Sequence, residues 1–309
     1  MGGDLAVSDR SGEHRPRYVR DQRPLSYSAK HGTRSLLLAA RAPLGCVAML
    51  PGFLIVGAQR CGTVSMAHAL NQHPAVFSAF LREEVHYFDL GYHHGLGWYR
   101  SRFPLRLHAR LTAQKVGVPP MAFESSPYYV FHPLAAERIS QDLPGVKLIV
   151  LLRDPVERAY SAHAHETFLG YETEPFERAL ELEPTRLKGE AERIVADPMY
   201  SSFSHQHHAY RTRGQYIEQL ERLELVFGRE RIHVVDSMTF FENPEPVYDA
   251  VLEFLGLPHR GYPPFKRHNS RKRAPMPDKV RAALEEHYHP HDERLANWLG
   301  REPSWRLSS

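Results

Sequence analysis

Phe53-Leu-Ile-Val56 is a short apolar run bounded by glycines, and it reads as a buried strand. A helical stretch follows from about Val64 to Gln72, stopped by Pro74. The same order recurs. Lys147-Leu-Ile-Val-Leu-Leu152 is a second buried-type strand, and a helix follows it directly. Asp154 can cap that helix, Pro155 suits its first position, and Glu157 sits where a capping box wants a carboxylate. Arg231-Ile-His-Val-Val235 reads as a third strand, after a helix from Gly214 to Phe227. Val247 to Leu255 is a helix ended by Gly256, and Asp278 to Tyr288 is another, expected to stop before Pro290. Strands alternating with helices predict an α/β fold, with a central parallel sheet flanked by helices on both faces. Such sheets bind ligands beyond the carboxyl ends of their strands, so the turns after Val56 and Leu152 matter most.

The chain has 309 residues, of which 42% are hydrophobic, enough for a substantial core. Residues 1–30 read as a mobile tail and residues 31–309 as one domain. Ser35 to Leu50 reads as a short amphipathic helix, because Arg41, Pro43 and Gly45 interrupt it. No run reaches the ~18 apolar residues of a membrane span, and the first residues carry no secretory signal pattern. The formal net charge of +3 argues against a polybasic nucleic-acid binder, so any anion site must come from local clustering. Two cysteines, Cys46 and Cys61, are too few for a disulfide framework and fit a reducing, cytoplasmic setting.

The loop Gly57-Ala-Gln-Arg-Cys-Gly62-Thr63 joins a strand to a helix start, where backbone N–H groups and the helix dipole attract an anion. Its glycines have the spacing of a Walker A loop, which makes the three-layer fold P-loop-like. A Walker loop needs Lys and then Ser or Thr after the second glycine; Thr63 and Val64 stand there instead, and the cation has moved to Arg60. An ordinary tight turn would use the same glycines. Arg153 ends the second strand and Ser161 lies about two turns into the next helix, so both could grip a second anion. The plainer alternative is that Arg153 pairs with Asp154 or Glu157. Two anion sites on neighbouring strands would suit one ligand with two separated anionic groups.

The string Phe53 to Thr63 resembles the 5′-phosphosulfate loop of sulfotransferases that use 3′-phosphoadenosine 5′-phosphosulfate (PAPS), and Leu151 to Ser161 resembles their 3′-phosphate motif. Glu83-Glu-Val-His-Tyr-Phe-Asp89 is similar to a Lys-Glu-Val-His-Phe-Phe-Asp segment of the heparan sulfate and related bacterial sulfotransferases. Gly95-Leu-Gly-Trp-Tyr-Arg100, Glu124-Ser-Ser-Pro-Tyr-Tyr129, Arg213-Gly-Gln-Tyr216 and Asn297-Trp-Leu-Gly300 resemble that branch too. The likeness runs from about Pro51 to the end.

The resemblance implies a single α/β domain that transfers a sulfuryl group from PAPS, without a metal, to a hydroxyl of a sugar, lipid or secondary metabolite. It implies that Arg60, Cys61, Gly62, Thr63, Val64 and Ser65 hold the sulfate-bearing end, that Arg153 and Ser161 hold the 3′-phosphate, and that Arg271-Lys272-Arg273 closes over the nucleotide. Glu84 would be the general base, with His86 orienting the acceptor or sharing the proton; an extended segment would put both side chains on one face. Arg60 would neutralise charge on the leaving oxygen. Arg60 stands where many relatives have Lys, Glu83 where Lys is common, and Lys272 where a glycine is. Ser125 stands where the heparan branch has Lys, which disfavours a glycosaminoglycan acceptor. Among the twenty histidines, no pair combines i, i+4 helical spacing with the carboxylate base of a zincin. The competing readings are a P-loop kinase and a non-catalytic nucleotide-binding protein on the same fold.

Overall fold

The computed structural model describes residues 42–80, 84–114, 117–268 and 274–307. Five strands form one sheet: β1 (Pro51–Gly57), β2 (Val76–Ser78), β3 (Met121–Ser125), β4 (Lys147–Leu152) and β5 (Ile232–Asp236). All neighbouring strands pair in parallel, in the order β2-β3-β1-β4-β5. β1 and β4 are almost wholly buried, as central strands covered on both faces by helices must be. The expected parallel sheet flanked by helices is therefore the observed architecture.

The strand order reverses between β1 and β4. At such a switch point the flanking connections leave in opposite directions, and a crevice opens at the carboxyl ends. The loop after β1 and the turn after β4 both face that crevice. Ala58 N donates to Leu151 O at 2.8 Å and stitches the two exits together.

Local expectations held where local signals were strong. The helix Thr63–Leu70 follows β1, and Pro155–Leu169 follows β4 with the Asp154 side chain accepting from Val156 N at 2.9 Å. Two expectations need correction. The helix Asp278–Leu299 continues through Pro290 to a left-handed cap at Gly300. An interior proline costs a helix about 3 kcal/mol. Here Leu284, Tyr288, Leu295 and Ala296 are buried along its length, and that packing offsets the cost. The stretch before β1 shows only a 3-10 segment, Ala42–Val47; residues 35–41 lie outside the described residues, as does the tail. The Glu157 carboxylate pairs with Arg281 Nη2 at 2.6 Å and lies 3.5 Å from Arg153 Nη2.

Candidate active site

Gly62 caps the helix Thr63–Leu70 at φ +88°, a left-handed conformation that glycine adopts readily. A Cβ there would also meet Phe241 Cζ at 2.9 Å. The first intrahelical bond runs from Met66 N to Gly62 O, so the N–H groups of Thr63, Val64 and Ser65 have no intrahelical acceptor. They form the positive end of the helix beside a cleft of about 1030 Å³, whose lining includes Arg60, Gly62, Thr63, Val64, Glu84, His86, Arg153 and Ser161. Cys61 and Ser65 do not line it. Cys61 is buried with its Sγ 3.6 Å from Tyr216 Oη, and Ser65 Oγ accepts from His268 N at 3.0 Å.

The two anion sites proposed from sequence meet in this cleft. Arg60 Nε donates to Ser161 Oγ at 3.1 Å, although 101 residues separate them. Arg153 stands at the tip of β4, one third exposed, and its carbonyl accepts from Tyr216 Oη at 2.9 Å. Its guanidinium leans on Glu157 at 3.5 Å, as the plainer alternative has it, and the side chain lines the cleft.

Glu84 and His86 also meet, but not through an extended segment. His86 has φ +56°, and this left-handed kink turns its ring so that Nε2 lies 3.2 Å from Glu84 Oε2. Nδ1 lies 2.7 Å from Asp89 Oδ2. Burial pushes the imidazole pKa down, but the Asp89 and Glu84 carboxylates outweigh it and raise it to about 10. His86 is thus a cation clamped between two carboxylates at neutral pH. Asp89 belongs to the Glu83–Asp89 string, and its i, i+3 spacing from His86 is the sequence signal for this contact. Among the described residues, Arg60 and His86 are the only non-glycines with positive φ, and both line the cleft. Such backbone is uncommon and clusters at functional sites.

Sequence reading missed a further wall of the cleft. Gln59 donates to Glu166 Oε1 at 3.0 Å and accepts from Arg213 Nη1 at 2.8 Å, while His207 Nδ1 lies 2.9 Å from Glu166 Oε2. These partners lie far apart in the chain, and no local pattern marks them. Arg271, Lys272 and Arg273 lie outside the described residues. Arg267 and His268 just before them line the cleft, and the His268 ring stacks on His68 at 4.3 Å. Among the described residues, no group of three metal-ligating side chains converges.

A family model described as the sulfotransferase domain matches residues 50–271. The chain belongs to this family. The matched span contains the phosphate loop, the Glu84 segment and the Arg153–Ser161 motif, so the sulfotransferase class read from those motifs stands. The membrane-associated sulfotransferase kil1 of Dictyostelium discoideum is 26% identical over 85% of this chain and 68% of its own length. Human heparan sulfate glucosamine 3-O-sulfotransferase 5 is 31% identical over 69% of this chain, which spans 56% of that protein. The crystal structure of a sulfotransferase from Alicyclobacillus acidocaldarius superposes with a TM-score of 0.63 and 28% identity, covering 84% of this chain and 99% of that one. The kinase alternative is not favoured.

Proposed function

We propose that this sulfotransferase-domain chain takes the sulfuryl group of PAPS and places it on a hydroxyl of a sugar, lipid or secondary metabolite. The observation that carries the reading is the convergence of three features in one cleft: Arg60 with the free helix start, Arg153 with Ser161, and the Glu84–His86–Asp89 cluster. A doubly anionic nucleotide fits the first two, spread across the exits of β1 and β4. The residues present suit such a donor, since both anion grips are arginines with backbone or hydroxyl donors beside them.

Glu84 removes the acceptor proton as the acceptor oxygen bonds to sulfur and the sulfur–oxygen bond to the nucleotide breaks. His86, held as a cation by Asp89, keeps the Glu84 carboxylate aimed. Arg60 neutralises the charge that gathers on the leaving oxygen of adenosine 3′,5′-bisphosphate. Cys61 and Ser65 support the loop from outside the cleft: Cys61 is buried against Tyr216, and Ser65 Oγ anchors His268 N. No metal takes part, because Thr63 and Val64 occupy the Walker lysine and magnesium-ligand positions. A buried Ser125, and Glu166 in the cleft wall, support an uncharged acceptor over a sulfated glycan. No nucleic acid is a partner. The same proposal places the chain in the cytoplasm. No described helix is long and apolar enough to cross a membrane, and the membrane-associated Dictyostelium relative makes membrane association the opposing outcome of cell fractionation.

The test is Glu84→Gln, which keeps shape and one accepting oxygen but takes no proton. Turnover should fall roughly 10²–10⁴-fold, with adenosine 3′,5′-bisphosphate binding unchanged. Normal turnover in this variant, together with loss in His86→Ala, would transfer the base role to His86.

A further inference from the structure

Glu124 lies on β3, 1% exposed, and four neutral donors converge on it. Its Oε2 accepts from Ser126 Oγ at 2.6 Å and Val85 N at 3.3 Å. Its Oε1 accepts from Tyr129 Oη at 2.7 Å and Tyr99 Oη at 3.1 Å. Two of these hydroxyls pass the interaction on. Ser126 Oγ accepts from His86 N at 3.1 Å, and Tyr129 Oη accepts from Tyr87 N at 2.8 Å and Phe88 N at 3.4 Å. The backbone N–H groups of four consecutive residues, 85 to 88, therefore end directly or through one hydroxyl on a single carboxylate.

We propose that Glu124 is a positioning residue: its carboxylate gathers the amides of residues 85–88 and so fixes where Glu84 and His86 stand. The inference rests on the reading of Glu84 as base. In its ionised form, which prevails above about pH 7, the carboxylate is acceptor-only, and its four lone-pair sites suit four donors. A buried carboxylate is a costly way to hold a strand, since an apolar side chain at this position would pack against the sheet without desolvating a charge. What the carboxylate supplies is a fixed acceptor for amides that belong to no helix or strand. His86 needs that anchor most, because its left-handed backbone persists only where the surroundings over-determine it. Hydroxyls that donate to a carboxylate and accept from amides polarise one another, which stiffens the array. The titratable groups facing Glu124 are Tyr99, Tyr129 and His86. Burial pushes its pKa up to about 7, against the hydrogen bonds from Ser126, Tyr129 and Val85.

The test is a double-mutant cycle on the full chain with Glu124→Gln, Glu84→Gln and His86→Ala, read as kcat, KM and the affinity for adenosine 3′,5′-bisphosphate. In Glu124→Gln the new side-chain amide nitrogen would face two donors, so the array must shift. This variant should lower kcat on the order of 10²-fold, the scale of a misplacement of about 1 Å, and leave nucleotide affinity unchanged. In the Glu84→Gln background it should lower kcat no further, because the group it positions is already gone. Losses that multiply in both double variants would overturn the proposal, as would an unchanged kcat in the single variant. If Glu84→Gln alone keeps full turnover, the base reading fails, and the His86→Ala arm decides the role of Glu124. Should Glu124→Gln not fold, Tyr129→Phe removes the hydroxyl that holds Tyr87 N and Phe88 N, keeps the ring, and carries the same cycle.

Discussion

Arg153→Ala should weaken adenosine 3′,5′-bisphosphate far more than adenosine 5′-phosphate, which lacks the 3′-phosphate. In the structure the guanidinium is one third exposed and rests 3.5 Å from Glu157. An ion pair of that kind is worth about 0–1 kcal/mol, so exchanging it for a phosphate costs little. Removing Arg153 does not strand Glu157, because Arg281 still holds it at 2.6 Å. The change in affinity therefore reports the phosphate contact itself. A charge-assisted hydrogen bond contributes about 1.5–3 kcal/mol. At about 1.4 kcal/mol per tenfold, the loss is roughly 10- to 150-fold in Kd for the bisphosphate. Isothermal titration calorimetry with both nucleotides measures it. As a companion, Glu157→Gln removes a negative charge beside the site and should tighten the bisphosphate slightly. Equal losses for both nucleotides in Arg153→Ala would refute the assignment of a 3′-phosphate site at the tip of β4.

Two more outcomes follow from burial and charge. Burial raises the Cys61 thiol pKa against the opposing effects of Arg158, Tyr216, Arg153 and Arg60, so native protein should resist iodoacetamide at Cys61 while the exposed Cys46 reacts; rapid labelling of Cys61 under native conditions, read by peptide mass spectrometry, contradicts this. The His86 pKa is raised in the folded chain, so its contribution to stability is full below its ordinary value of 6.5 and disappears as pH rises through about 10. Urea unfolding should therefore find His86→Gln more destabilising below pH 6.5 than above about 10, and an equal penalty at both would show that the imidazole is not held as a cation.

Much of the cleft's side built by β1 and β4 was legible in the sequence. β1 and β4 announce themselves as apolar runs because central parallel strands are buried on both faces. Gly57, Arg60 and Gly62 in one turn, and Arg153-Asp-Pro in the other, are local signals, since loop geometry and helix capping depend on residues a few positions apart. Asp154 caps its helix as its residue type and position required. The side of the cleft that carries Glu84 and His86 was less legible. β3 ends in Glu124 and Ser125, which no strand pattern favours; they are buried there because hydroxyls and amides from elsewhere in the fold satisfy Glu124. The kink at His86 replaces the extended segment that alternation suggested, and it is held by Ser126, forty residues away. Glu157 pairs with Arg281 on a helix 124 residues later, and that same helix runs through Pro290 because its buried face packs on both sides of the proline. The amino-acid sequence by itself determined β1, β4 and β5, the turns that follow β1 and β4, and the sulfotransferase class, all written in short-range order. Tertiary structure alone decided which carboxylates meet which cations, because those pairings depend on contacts between distant segments whose combined packing outweighs any local preference.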